Sequence, residues 1–334
     1  MNNLLVTGGL GFIGSNFIHD RLSRFPDTHI LNLDSMSYGA NPKSLEDLNA
    51  NPRYRFEKCN VMDAKKVSEF ASQFDVIVNF AAETHVDRSI SNPQAFLESN
   101  VIGTHSLLEA ARKSEIQKFV QISTDEVYGS ASGITSFDEN SSLNPSSPYS
   151  ASKAAADLFV KSYHSTYGLP VLILRCTNNF GPYQFPEKFI PKTIITSVLG
   201  KQVPVYGNGS QVRDWIHVTD FCDAINGAIE HGSIGSIYNV SAGNELPNIE
   251  VVKKILNFLK KPIDMIRYVE DRPGHDQRYS LNSNSIRQKL GWSPRHQFDD
   301  ALRLTVNWYL SNENWWRPIL NDRILSATPW KEKW

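Results

Sequence analysis

The chain has 334 residues, with 34 lysines and arginines against 35 aspartates and glutamates, for a formal charge of −1. That length suits one large domain or two modest ones with ample buried core, and the near-neutral balance gives no bulk electrostatic reason to bind nucleic acid or an anionic membrane surface. Three widely separated cysteines, Cys59, Cys176 and Cys222, show neither zinc nor redox spacing and no metal is expected, while the lack of any apolar run near the length of a membrane span argues against a transmembrane segment.

Residues 3–7 predict a short apolar strand that runs straight into a glycine loop, with a helix expected over 12–25. So early a strand leaves no room for a cleavable leader, and a cytoplasmic protein is expected. Further strands are expected at 29–33 (ending at Asp34), 53–59, 75–80, 118–123 and 170–175. Helices are expected at 64–72, 99–113 and 149–167. Strands of four to six residues alternating with helices predict a Rossmann-like, doubly wound parallel α/β sheet, and the unbroken apolar run at 171–174 suits a sheet covered on both faces. After Asn178 the alternation breaks at Pro182, Pro186, Pro191 and Pro204. A helix is expected over 216–231, a strand over 236–240, and helices near 248–260 and 283–290. We therefore expect a cofactor domain of residues 1–178 with 211–241, and a smaller mixed α/β substrate lobe of 179–210 with 242–334.

Gly8, Gly11 and Gly14 lie between the first strand and first helix, around Phe12 and Ile13. Glycines so spaced let the backbone turn tightly beside a pyrophosphate, and the helix start offers it free N–H groups. Asp34 follows Gly14 by twenty residues at a strand end, where a carboxylate accepts the ribose hydroxyls of adenosine and repels a 2′-phosphate. NAD is thus the expected cofactor. Asn60 and Val61 stand where a side chain and backbone reach the adenine. Phe80, Ala81 and Ala82 follow the fourth strand, the two alanines letting the cofactor lie close to the backbone.

Tyr149 and Lys153, four apart on a helix, share one face. A tyrosine titrates near about 10 in water, so it needs the nearby ammonium and a cationic nicotinamide to act as a base. Thr124 ends the preceding strand and is placed to orient the same substrate hydroxyl. Asp125 and Glu126 follow it directly. Alcohol oxidation needs only the tyrosine and lysine, so adjacent carboxyl groups point to a second task. Oxidising a hexose at C4 acidifies the C5 hydrogen. Glu126 would remove it, and Asp125 would protonate the departing C6 hydroxyl, provided that their pKa values differ. Thr84, Asn178, Glu187, Lys188, Arg213, Asn248 and His275 are candidate contacts to a nucleotide-sugar substrate, a diphosphate needing several cationic or N–H donors. Small residues at Ala151, Ala154, Ala155 and Ala156 suggest a homodimer through helices 99–113 and 150–166.

Three stretches carry a more specific resemblance: Thr7 to Phe17, Phe80 to Ile90, and Ser123 to Gly129. With Tyr149–Lys153, Asn178 to Lys188, Arg213–Trp215 and Arg272 to Asp276, the chain resembles the dTDP-glucose 4,6-dehydratases of the extended short-chain dehydrogenase/reductase superfamily from end to end. The resemblance implies tightly held NAD, conversion of dTDP-glucose to dTDP-4-dehydro-6-deoxyglucose, the roles above for Thr124, Asp125, Glu126, Tyr149 and Lys153, and a homodimer. Asn60 stands where the family usually has Asp, and Thr84 where it often has Ser. A UDP-sugar dehydratase, a nucleotide-sugar 4-epimerase and an NAD-binding scaffold without turnover remain the competing readings.

Overall fold

The computed structural model describes residues 2–334. Chain order runs β1 (Asn3–Thr7), α1 (Phe12–Arg24), β2 (His29–Asp34), β3 (Tyr54–Lys58), α2 (Ala64–Ala71), β4 (Val76–Asn79), α3 (Val86–Ser91), α4 (Pro93–Phe96), α5 (Gly103–Arg112), β5 (Lys118–Thr124), α6 (Pro148–Tyr167) and β6 (Val171–Cys176). It continues with β7 (Asn178–Phe180), α7 (Phe189–Val198), β8 (Val203–Tyr206), β9 (Val212–His217), α8 (Val218–His231), β10 (Ile237–Val240), β11 (Glu245–Pro247), α9 (Asn248–Phe258) and β12 (Ile266–Val269). Three helices complete it: α10 (Asn284–Leu290), α11 (Phe298–Ser311) and α12 (Glu313–Trp316).

Seven strands form one parallel sheet in the order β10-β6-β5-β4-β1-β2-β3. Two apolar layers cover it. Phe17, Ile18 and Leu22 of α1 join Phe221 and Ile225 of α8 on one face. Val67, Leu107, Leu108 and Val160, from α2, α5 and α6, pack on the other. All seven residues of β5 are buried, as a strand sandwiched between helices requires. The chain reverses its winding beside β1, whose neighbours are β2 and β4. Ligands of open parallel sheets bind at the carboxyl ends of the strands at such a reversal.

Helix α6 shows how local sequence sets the site. Ser147 caps it: its Oγ accepts the Ser150 amide at 3.1 Å, and its own amide donates to Ser150 Oγ at 2.9 Å. Pro148 fills the first helical position and Gly168, at φ 69°, ends the helix. Tyr149 is thereby fixed in the first turn, beside the end of β5. Deeper in α6, Asp157 meets Arg175 of β6 at 2.8 Å, both at most 2% exposed, and Arg175 also donates to the Tyr128 hydroxyl. Asp157→Ala leaves that guanidinium buried and uncompensated, so urea unfolding should show a loss of about 3–5 kcal/mol.

The smaller sheet has the order β11-β9-β7, and β8 pairs with β12. Phe180, Trp215, Ile194, Leu302, Trp315 and Trp316 fill a separate core between these strands and α7, α9 and α11. Two expected helix starts differ by more than one residue. The helix expected from residue 216 begins at Val218, because 212–217 is a strand. The helix expected over 99–113 opens as a wide π-type turn at Leu97–Ile102 before α5. Among the described residues, no helix is long and apolar enough to cross a membrane.

Candidate active site

A cleft of about 440 Å³ runs across the carboxyl ends of β1, β2, β4, β5 and β6 and reaches the smaller lobe. At its floor the glycine turn is sterically obligatory. Gly8 has φ +70°, and a Cβ there would stand 2.7 Å from Ala81. A Cβ on Gly14 would stand 2.6 Å from the Gly8 carbonyl. Gly11 begins α1 with no side-chain cap, and Gly11, Phe12, Ile13 and Gly14 all border the cleft, so the first-turn N–H groups remain for an anion. Asp34 is buried at the end of β2. Its Oδ2 accepts the Leu10 amide at 3.0 Å and its Oδ1 the Met36 amide at 2.8 Å. The carboxylate therefore holds both the glycine turn and the next loop while still lining the cleft. Asn60, Val61, Phe80, Ala81 and Ala82 line the same channel, with Asn60 Oδ1 accepting the Met62 amide at 3.0 Å. An uncapped helix start over a closed glycine turn, a strand-end carboxylate and a small-residue wall fit a dinucleotide with an unphosphorylated ribose.

Further along, Thr124, Asp125, Glu126, Tyr149 and Lys153 all face the cleft. Thr124 Oγ1 lies 3.1 Å from Asp125 Oδ1 and accepts the Glu126 amide at 3.3 Å. Asp125 is 4% exposed, and its Oδ2 has no hydrogen-bond partner. Burial, reinforced by the Glu126 charge, pushes the Asp125 carboxyl well above its ordinary range. Burial raises Glu126 as well, but Arg272 and Arg213 oppose the rise. The two neighbouring carboxyls thus stand in unlike fields: Arg213 opposes the rise at both, but the leading charge on Asp125 is Glu126, which favours a retained proton, and on Glu126 it is Arg272, which favours the carboxylate.

Tyr149 is pushed well above 10 by burial, then by Glu126 and Cys176, with Thr124 working in the opposite direction. The expected help from the lysine takes a different form. Lys153 Nζ donates to the Ile122 carbonyl at 2.6 Å, and burial lowers its pKa. The ammonium is tied to the backbone of β5, and the tyrosine keeps its proton without a further positive charge.

Of the expected substrate contacts, Thr84, Asn178, Glu187 and Lys188 line the cleft. Lys188 Nζ donates to the Thr84 carbonyl at 2.7 Å, joining the two lobes, and Asn178 Oδ1 is buried without a partner. Arg213, Asn248 and His275 are not part of that lining. Arg213 is buried, stacks on the Tyr279 ring at 4.1 Å and donates to the Asp276 carbonyl at 2.9 Å. The Tyr279 hydroxyl in turn lies 2.8 Å from Asp276 Oδ2 and 3.3 Å from Glu126 Oε2. Asn248 opens α9 with its Oδ1 buried and unpaired. His275 Nδ1 lies 2.6 Å from Asp271, and burial, with Arg272 and Arg213 nearby, lowers its pKa to about 4.

Sequence reasoning missed Tyr38, whose hydroxyl donates to Glu187 Oε2 at 2.6 Å across the cleft. It also missed the cluster in which Asp87 receives Arg272 at 2.8 Å and the Tyr206 hydroxyl at 2.7 Å. Burial works to raise the Asp87 carboxyl, yet Arg272 and its other partners hold it at about 2. The position of Asp87 within the Phe80 to Ile90 stretch was the available signal. For Tyr38 there was none, because its partner is 149 residues away.

A glycine turn feeding a Tyr-Lys helix across a parallel sheet is the construction of an extended short-chain dehydrogenase/reductase. The sequence model of the family described as GDP-mannose 4,6 dehydratase matches residues 5–305. The dTDP-glucose 4,6-dehydratase of Xanthomonas campestris pv. campestris (strain B100) is 44% identical over 341 residues, covering 96% of this chain and 97% of that protein. DesIV, the dTDP-glucose 4,6-dehydratase of Streptomyces venezuelae, solved with NAD and TYD bound, superposes with a TM-score of 0.93 at 44% identity, covering 95% of this chain and 100% of its own. The Bacillus anthracis dTDP-glucose 4,6-dehydratase in complex with NAD gives 0.90 at 44% identity, over 96% and 100%. The chain belongs to the dTDP-glucose 4,6-dehydratase family.

Proposed function

We propose that the protein converts dTDP-glucose to dTDP-4-dehydro-6-deoxyglucose with NAD regenerated in each cycle. The observation that carries this reading is the pairing of Tyr149 with two unlike carboxyls, Asp125 and Glu126, in one cleft. Gly8, Gly11, Phe12, Ile13 and Gly14 hold the pyrophosphate, Asp34 the adenosine ribose, and Asn60, Val61, Phe80, Ala81 and Ala82 the remaining wall. Bound NAD supplies an acceptor for the C4 hydride, a donor for C6, and a ring charge that favours the Tyr149 phenolate.

Thr124 orients the C4 hydroxyl and Tyr149 takes its proton. Lys153, anchored on the Ile122 carbonyl, positions the ribose and the tyrosine. Glu126 then removes the acidified C5 proton. Asp125 passes its proton to the C6 oxygen, which leaves as water. Glu126 returns a proton to C5 once C6 is reduced. Thr84, Asn178, Glu187 and Lys188 hold the sugar and its first phosphate. Arg213, Asn248 and His275 serve the diphosphate and nucleoside beyond. Residues 1–178 with 211–241 act as the cofactor lobe, with α8 and β10 on the seven-stranded sheet while β9 pairs into the smaller sheet, and 179–210 with 242–334 act as the substrate lobe.

The protein works in the cytoplasm as a homodimer, with no nucleic-acid or membrane partner. The dimer face is the exposed apolar surface of α6 and the turn before α5, where Leu158 is 55%, Leu97 48% and Ile102 49% exposed. Leu158→Glu should give monomers by sedimentation at concentrations where the parent is dimeric.

Mass spectrometry on a panel of dTDP-, UDP-, CDP- and GDP-glucose tests the activity. Loss of one water, most rapid from dTDP-glucose, supports the reading. Conversion of glucose to galactose without mass loss contradicts it.

A further inference from the structure

The segment after α12 supplies none of the site residues named so far, yet it crosses from one lobe to the other. It leaves the smaller lobe's core, where Trp315 and Trp316 are buried. It is pinned to that lobe again where Lys192 of α7 donates to the Ser326 carbonyl, and Ile324 is 2% exposed. The next turn, Pro329–Lys331, packs against α3 of the cofactor lobe. There Trp330, 7% exposed, meets the Tyr206 ring edge-on at 4.9 Å. Tyr206 itself reaches α3 through its bond to Asp87.

Trp334 completes the crossing. Its indole N–H donates back to the Pro329 carbonyl at 2.9 Å, which fixes the ring. That ring stands edge-on to Tyr38 at 5.4 Å. The Arg88 guanidinium lies 3.8 Å over the Tyr38 ring and 5.0 Å over the Trp334 ring. Tyr38 and Arg88 both line the cleft, and Tyr38 sits on the loop that follows Asp34. Its hydroxyl bonds Glu187 on the opposite wall. The loop beside the adenosine end of the cleft is therefore held from two sides, by Glu187 and by the Arg88–Trp334 stack. A buried arginine between aromatic faces is a stronger tie than an exposed ion pair, because its attraction is less screened by water.

We propose that residues 320–334 form a strap that closes the cleft and retains the dinucleotide. Trp334 is its clasp, a positioning residue acting through Arg88 and Tyr38, and Trp330 is the anchor on α3. The proposal rests on the dinucleotide reading of the cleft. It explains how a cofactor that begins and ends each cycle in the same oxidation state stays in place between turnovers: its exit requires the strap to lift.

The test is loss of bound NAD from purified holoprotein during dialysis, followed as NAD per chain for the parent, Trp334→Ala, Trp334→Phe and a variant lacking residues 328–334. Far-UV circular dichroism and the thermal midpoint report the fold. Release about tenfold faster or more is expected for Trp334→Ala and the shortened chain, with Trp334→Phe between them and the parent. Retention equal to the parent in Trp334→Ala overturns the strap, and that single substitution decides the matter if the shortened chain does not fold. A parent that neither carries nor binds NAD sinks the reading of the cleft itself, which is a separate outcome.

Discussion

Tyr149→Phe should lower turnover by about 10²–10⁴-fold, the range for removing a positioned acid or base, while leaving NAD bound. The reason is specific to this site. Burial and the Glu126 charge already hold the phenol well above its solution pKa, so little phenolate exists before cofactor and substrate assemble. The groups beside it are poor alternatives for taking the C4 hydroxyl proton. Lys153 is tied to the Ile122 carbonyl, and Asp125 favours keeping its own proton. The defect should therefore lie before hydride leaves C4. A single-turnover experiment with dTDP-glucose should show almost no NADH absorbance in the variant. Rapid NADH formation there would remove Tyr149 from the oxidation step.

Glu126→Gln should fail at a different point. The variant keeps Tyr149 and Thr124, so C4 oxidation proceeds, but nothing takes the C5 proton and water is not lost. NADH should accumulate on the protein, with overall turnover down by about 10²–10⁴-fold. The pH dependence follows from the direction of the shift. Glu126 is raised by burial, so its base form is lost as pH falls through a value above the ordinary carboxylate range. The parent's acid limb should lie correspondingly high, and the Gln variant's residual activity should lack it. Normal turnover in this variant would end the assignment of Glu126 as the C5 base.

How much of this was legible before the structure depends on the range of the interactions. The glycine turn, Asp34 and the Tyr149–Lys153 pair are local: each is read within one strand-turn-helix unit, and the structure places all of them on the cleft. Buried strands such as β6 announce themselves by continuous apolar sequence, here over 171–174. The strand at Val212–His217 does not, because Arg213, Asp214 and His217, all buried, interrupt its apolar residues. The sequence pattern therefore predicts no strand there and places a helix from 216. The unlike environments of Asp125 and Glu126 were also invisible. Adjacent in sequence, they differ because Arg272, some 150 residues further on, is the main charge opposing the rise at Glu126, while the Glu126 charge adds to the rise at Asp125. Tyr38 meeting Glu187, and Trp334 meeting Arg88, belong to the same class of information, which only the assembled lobes contain.

Isotope tracing tests the central claim most directly, that a hexose surrenders hydride at C4 while two carboxyls work at C5 and C6. dTDP-glucose carrying deuterium at C4, turned over in ordinary water, should yield a product that has lost one water and holds the deuterium at C6. The complementary reaction in deuterium oxide should place solvent deuterium at C5. A product with deuterium still at C4, or a nucleotide sugar of unchanged mass, would contradict the account.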